Sequence, residues 1–380
     1  MNYFRILNIL EKGNSEMFEV SVQDQKRFLD SLDAPKDDID RSCKQYLCHN
    51  FFIPKWKIVS FNVLSFFLFI PVLIVLFFKR IGVKKIQIYE AISSTFDSEM
   101  GIMPKELEEK YDINNKVWNN ELSLSLKVCG FAFLILFRYW KHAFFALKCM
   151  INIAKYSTLV KRYSPSVIID KSEYSFSSSM LTSYCHKHGI KHINVMHGEK
   201  LYNIHDSFFH FDECYVWNEY YKNLLIELKA EPTQFIVSTP SYIKMDLSDY
   251  VDKSKYADYK YYLAVYDDDE IKSIIASLRF AHNQGKSIKF RPHPRHSDIK
   301  LLEKYVDSND IEYPNKVSIV ESVANLEFAV GSYTTVLLQA YSSGRKVILD
   351  DVTFKTQYQQ LSEMKYILAD SSIPVLSQFQ

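Results

Sequence analysis

A strand, a helix and a second strand, read in succession near the middle of the chain, constrain its fold more than any other feature. Residues 166–170 (Ser-Val-Ile-Ile-Asp) are an apolar run of strand length, 176–188 carry a helical pattern that Gly189 ends, and 191–196 read as a second strand. Strand, helix and strand within about thirty residues make a βαβ unit, whose crossover is right-handed and whose strands are parallel. Further short runs at 211–217, 234–238, 261–266, 287–290, 316–320, 327–330 and 345–349 are expected strands of the same kind, with helices between them. The expected fold class is therefore α/β, with doubly wound Rossmann-like lobes. Charge concentrates and periodicity lapses over 246–260, which predicts a linker between a lobe at 161–250 and a second at 256–380.

The preceding residues, 1–160, read as a helical, partly apolar N-terminal region. Its opening residues, 1–20, mix apolar and charged positions, which is not the pattern of a secretory signal. Residues 85–92 are an expected strand, and Pro104 opens a short charged helix. An uncharged run, 58–78, is long enough to cross a bilayer, although Asn62, Ser65 and Pro71 interrupt it. Lys55 and Lys57 precede it and Lys79, Arg80, Lys84 and Lys85 follow, so flanking charge gives no orientation. The second apolar block, 128–150, is broken by Arg138, Lys141, His142 and Lys148 and reads as a helix in the membrane interface. The alternative is that both blocks are core helices of a large domain.

Composition excludes several function classes. With 380 residues, 47% of them hydrophobic, the chain can bury a large core in two domains. A formal net charge of +1 creates no global basic field, so nucleic acid is not an expected partner and any anion site has to be local. The 6 cysteines contain no C-x-x-C pair, which argues against a zinc ribbon or a disulfide framework and fits a reducing cytosol. Cys185-His186-x-His188 lacks a second ligand pair, so neither a metal nor a cofactor is expected.

Chemistry-bearing residues cluster where strands end. In Ile288-Lys-Phe-Arg-Pro-His-Pro-Arg-His296 a strand is stopped by Pro292 and Pro294, leaving Arg291, His293, Arg295 and His296 at one edge, a set suited to phosphate. In Val195-Met-His-Gly-Glu-Lys200 a strand runs into a turn carrying His197 and Glu199. In Val330-Gly-Ser-Tyr-Thr-Thr-Val a strand, a glycine and hydroxyls lead into a helix, so that Ser332, Thr334 and Thr335 surround free N–H groups. Each alone could be an ordinary turn or cap.

In that order, the motifs resemble those of GT-B fold transferases of bacterial surface polymers, most of all the teichoic-acid glycerophosphotransferases and the capsule sialyl- and Kdo-transferase group. Gly189-Ile-Lys-His-Ile-Asn-Val-Met-His-Gly198 resembles the segment carrying the acceptor-side histidine, Phe290-Arg-Pro-His-Pro294 the phosphate motif, and Gly331-Ser-Tyr-Thr-Thr335 the donor-phosphate turn. The likeness covers roughly 164–351 and departs from the family at Gly331-Ser332, where an acidic residue is usual, and at Glu199-Lys200. It implies a GT-B-like fold and a nucleotide-activated donor, CMP- or CDP-linked. It further implies a lipid-linked or polysaccharide acceptor and work at the cytoplasmic face of the inner membrane. The donor phosphates are expected on Arg291, His293, Arg295, Ser332, Thr334 and Thr335 without a metal. His197 is the first choice of base for an acceptor hydroxyl, with Glu199 the alternative and Glu173 a third candidate that could equally be a helix-start carboxylate. A non-catalytic subunit of a polysaccharide assembly complex and a sugar-nucleotide epimerase are the competing readings.

Overall fold

The computed structural model describes residues 20–94, 101–115 and 121–380. The chain divides into two units, Met1–His197 with Tyr202–Ser238, and Gly198–Leu201 with Thr239–Gln380. Each is built on a parallel sheet.

In the first unit β1 (Ala91–Ser93), β2 (Ile113–Asn114), β3 (Val167–Asp170), β4 (Lys191–Val195), β5 (Glu213–Val216) and β6 (Phe235–Val237) lie in the order β2-β1-β3-β4-β5-β6, every pair parallel. Successive side chains of a strand face opposite sides, and here both sides are covered. Ile168 of β3 joins a core with Phe145, Ile153 and Leu181, whereas Val167 and Ile169 join another with Leu107, Val195 and Tyr215. The crossover helix Ser178–His186 stops at Gly189, whose φ of +68° is glycine territory, and Ile190 N–H returns to the Cys185 carbonyl at 3.0 Å.

The boundary expected at residue 160 is not a unit boundary: the described residues before it belong to the first unit. Helix Ala143–Tyr163 is what covers one face of β3, and β1 pairs directly with β3, so the sheet is incomplete without them. The strand expected over 85–92 is confined to β1. Ile86 and Tyr89 instead donate to the carbonyls of Arg162 and Tyr163, along the end of that helix. The block 128–150 is two helices, Leu126–Arg138 and Ala143–Tyr163, parted by a turn at Trp140–His142. Of the apolar stretch within Trp140–Tyr163, 83% is buried, so this half is a core helix and not the interfacial one expected. The run 58–78 lies in one helix, Lys55–Lys79, which continues through Pro71.

In the second unit β7 (Ala257–Tyr262), β8 (Ile288–Arg291), β9 (Leu326–Gly331) and β10 (Lys346–Leu349) lie in the parallel order β10-β9-β7-β8 over their own core, centred on Tyr261, Ile274, Phe290 and Val330. The strand expected at 316–320 is a turn and the start of helix Ile319–Ala324, because Ser318 caps it by accepting from Glu321 N–H at 3.2 Å. The expected linker 246–260 holds two 3-10 turns and the start of β7, and the chain passes between units at Ser238 and Thr239. In both sheets strand order reverses beside one strand, between β1 and β3 in the first and between β7 and β9 in the second. A doubly wound sheet opens its ligand crevice at the carboxyl ends of such strands.

Candidate functional site

At the β7/β9 reversal of the second unit lies a pocket of about 550 Å³, lined by Tyr262 at the end of β7 and Tyr266 after it, Ser332 and Tyr333 after β9, and Glu270 and Gln357 from flanking helices. Gly331 is what lets the two strand ends approach, since a Cβ there would stand 3.0 Å from the Tyr262 carbonyl oxygen. Ser332 Oγ donates to Gln357 Oε1 at 2.6 Å. Thr334 precedes helix Thr335–Ser342 with extended backbone and no side-chain cap bond, so the helix start and half-buried hydroxyls stand beside the pocket wall.

The Pro-His-Pro turn is braced to that wall. Ser297 Oγ donates to the Ala264 carbonyl at 2.6 Å and accepts from His293 N–H at 2.7 Å, while Tyr266 OH donates to the Asp298 carbonyl at 2.7 Å. His293 Nδ1 accepts from Arg295 N–H at 3.1 Å, which leaves Nε2 to carry the proton of the neutral ring. Partial burial, and then the neighbouring His296 and Arg295, lower the affinity of His293 for a second proton. Its ring stacks on His296 at 4.5 Å, and the Arg295 side chain is exposed.

Arg291 is a different matter. It is 7% exposed, and its guanidinium donates to Glu312 Oε1 at 2.8 Å and to the Val317 carbonyl at 2.9 Å. Glu312 also accepts from Lys260 Nζ at 2.5 Å. Burial pushes the Glu312 carboxyl up, but Lys260, and then a Ser322 hydrogen bond and the Arg291 charge, more than offset it and hold it below the usual carboxylate range. The arginine expected as a phosphate ligand is thus one arm of a buried ion network that fixes the end of β8.

Glu199 is also displaced from its expected setting. Gly198 turns the chain with φ +74°, and Gly198–Leu201 belongs to the second unit while His197 belongs to the first. Burial first, and then the Glu199 charge, raises the phenol pKa of the pocket-lining Tyr333 and of Tyr242.

At the β1/β3 reversal of the first unit the carboxyl edge is a dense polar network. Glu173, 1% exposed, accepts from Asn194 Nδ2 at 3.1 Å and from the backbone N–H of His197 at 3.3 Å. It is neither a helix-start residue nor an open base; it braces the turn that presents the exposed His197 ring. The residue that sequence reasoning passed over is Asp170, which accepts from Ser94 and Ser172 hydroxyls, from Lys171 N–H at 2.8 Å and from Tyr156 OH at 2.9 Å. Burial pushes its carboxyl up, but the Ser94 hydroxyl foremost, and then His192, the Lys171 N–H and the Ser172 hydroxyl, hold it below the usual range. Tyr156 OH also meets His192 Nε2 at 2.9 Å, and His192 Nδ1 meets Thr182 Oγ1 at 2.8 Å. The available signal was a carboxylate ending a fully apolar strand, where only a satisfied or functional acid persists.

No family model matches the chain, and no curated protein does. Among solved structures it is similar to the UDP-GlcNAc 2-epimerase of Methanocaldococcus jannaschii, at 14% identity over 76% of this chain and 88% of that one, TM-score 0.42. It is similar to the lipopolysaccharide outer core galactosyltransferase WaaB, at 12% identity over 70% and 81%, TM-score 0.38. It is also similar to the wall teichoic acid polymerase TagF, at 10% identity over 52% and 56%, TM-score 0.34. At such identities the likeness is one of fold.

Proposed function

We propose that this chain is a GT-B-type transferase that moves a sugar or polyol phosphate from a nucleotide-activated donor, cytidine-linked, onto a lipid-linked or polysaccharide acceptor at the cytoplasmic face of the membrane. The observation that carries the reading is the pocket at the β7/β9 reversal, bordered by a helix start with hydroxyls and by a histidine turn tied to its wall. Aromatic walls suit a base, and the helix N-terminus with Ser332, Thr334 and Thr335 suits phosphate. His293, with Nε2 as donor, and Arg295 supply the remaining charge-assisted bonds as leaving-group charge develops. Arg291 serves by fixing the strand from which His293 hangs. His197 is the base that takes the acceptor hydroxyl proton, and Glu173 holds its backbone in place. Glu199, in the second unit and with its charge acting on Tyr333, belongs on the donor side.

A thermal-shift and titration series with CMP, CDP, UDP and GDP tests this. The cytidine nucleotides should bind tightest, and His293→Ala and Ser332→Ala should each weaken binding by about 1.5 to 3 kcal/mol with the melting curve unchanged. His197→Ala should abolish transfer with donor binding retained. Turnover of a nucleotide sugar without acceptor would make the protein an epimerase, and no nucleotide binding at all would make it a non-catalytic subunit.

A further inference from the structure

Helix Lys55–Lys79 is apolar on every side, a pattern that belongs to a helix with no face in water. Only one stripe of it is buried, Ser65, Phe69, Leu73 and Leu76, against the core that Ala143–Tyr163 shares. Phe61, Val72 and Phe77 pack half-buried beside that stripe, and the opposite side is open: 22% of the apolar stretch is buried, against 83% for the neighbouring core helix, and Phe67 is 71% exposed. Helix Leu126–Arg138 extends the same face, with Phe133 packed on Phe69 at 6.0 Å and Leu134 and Phe137 open. The two helices are antiparallel. Leu124 N–H reaches the Leu76 carbonyl at one end, and at the other Phe144 N–H, just past the second helix, reaches Asn62 Oδ1.

We infer that this two-helix face docks the first unit onto a bilayer of anionic phospholipid, lying in its plane and not crossing it. Charge identifies the occupant. No Asp or Glu occurs over residues 51–89 or 122–150, whereas Lys55, Lys57, Lys79, Arg80, Lys84 and Lys127 stand at the ends of the two helices. Exposed Trp56 and Trp140, with Lys57 and Lys141 over their rings, add amphipathic side chains of the kind found at headgroup level. A second copy of the chain would set one cationic rim against another. Crossing is opposed by packing. The helix against which Lys55–Lys79 lies also carries Tyr156, whose hydroxyl is bonded to Asp170 and His192, so a span would draw that sheet edge toward hydrocarbon. An in-plane pose buries the open apolar side chains at the acyl boundary and leaves the sheet in water. The inference stands apart from the reaction proposed above.

Flotation of the purified full-length protein with phosphatidylcholine vesicles, with and without phosphatidylglycerol, tests it. Binding is expected with phosphatidylglycerol and much less without it. Lys79→Gln and Arg80→Gln should each weaken it about fivefold, and the pair Phe67→Ser and Phe137→Ser should abolish it with circular dichroism unchanged. The pose is read separately. All 6 native cysteines are buried, so Lys57→Cys and Ile81→Cys report the two helix ends, and an impermeant maleimide added outside the vesicles should label both. Protection of one end would mean a span and overturn the in-plane pose. Wild-type protein that stays in solution with phosphatidylglycerol vesicles, binding untouched by the serine pair, or a dimer that this pair dissolves would each overturn the lipid assignment.

Discussion

Residue identity alone marked Arg291, His293 and His197, and the folded chain sorts them by burial. Arg291 sits with Lys260 and Glu312 in a region where an unpaired charge is costly. Arg291→Ala should therefore lower stability by about 3 to 5 kcal/mol, because Glu312 and the Val317 carbonyl both lose a buried donor. Arg295→Ala, at an exposed position, should stay within about 0.5 kcal/mol of the parent. Urea denaturation of the two variants separates them, and equal midpoints would remove Arg291 from the structural role. What the sequence did not reveal was the partner: Glu312 lies well beyond the Pro-His-Pro turn in the chain and reaches Arg291 only because Ile311 bridges beside Phe290. The burial of His192 inside β4 was likewise invisible. Burial lowers its pKa from 6.5 to about 4, so the folded state binds its proton later than the unfolded state does. The stabilising contribution is whole above pH 6.5 and is lost as pH falls toward 4, at up to about 1.4 kcal/mol per pH unit. Unfolding followed by tyrosine fluorescence across that range should show the slope, and His192→Gln should flatten it; an unchanged slope in the variant would assign it elsewhere.

Elements were legible where their signal is local and illegible where packing decides. The short parallel strands β3, β4, β5, β9 and β10 coincide with apolar runs because both sheet faces are covered. At 316–320 an apolar pattern of strand length became a helix start, since Ser318 satisfied the first turn's N–H groups. The apolar blocks at 58–78 and 128–150 show the limit most plainly. Both are long and apolar, yet one lies largely open and only the second half of the other is core, a difference set by which helix lies against β3. Gly331 tests the same dependence of element on neighbour. Gly331→Ala puts a Cβ 3.0 Å from a backbone oxygen of β7, which cannot swing aside as a side chain would. The junction of β9 and β7 has to open by a few tenths of an ångström, and the cost should be about 1 to 3 kcal/mol, as for other overpacked sites. Thermal unfolding measures it, and nucleotide affinity should fall with it because Ser332 and Tyr333 move; an alanine variant as stable and as tight-binding as the parent would show that the approach of the two strands is slack.

The two units carry separate cores, one set around Ile153, Ile168 and Leu181 and the other around Tyr261, Ile274 and Val330. A chain so built unfolds without the single all-or-none transition of a small domain, and each core can respond to its own ligand. The pocket at the β7/β9 reversal belongs wholly to the second unit, as do the Pro-His-Pro turn and the helix start at Thr335. A nucleotide bound there stabilises that unit by about 2.7 kcal/mol at roughly a hundred times its Kd. Differential scanning calorimetry should accordingly show two components. Added nucleotide should move one of them, and Arg291→Ala should lower the same one. Acidification from pH 6.5 toward 4 should lower the other through His192, which sits in the first unit. Nucleotide that shifts the acid-sensitive component would place the donor on the first unit, and the histidine turn, however well it is braced, would then be no more than a strand end.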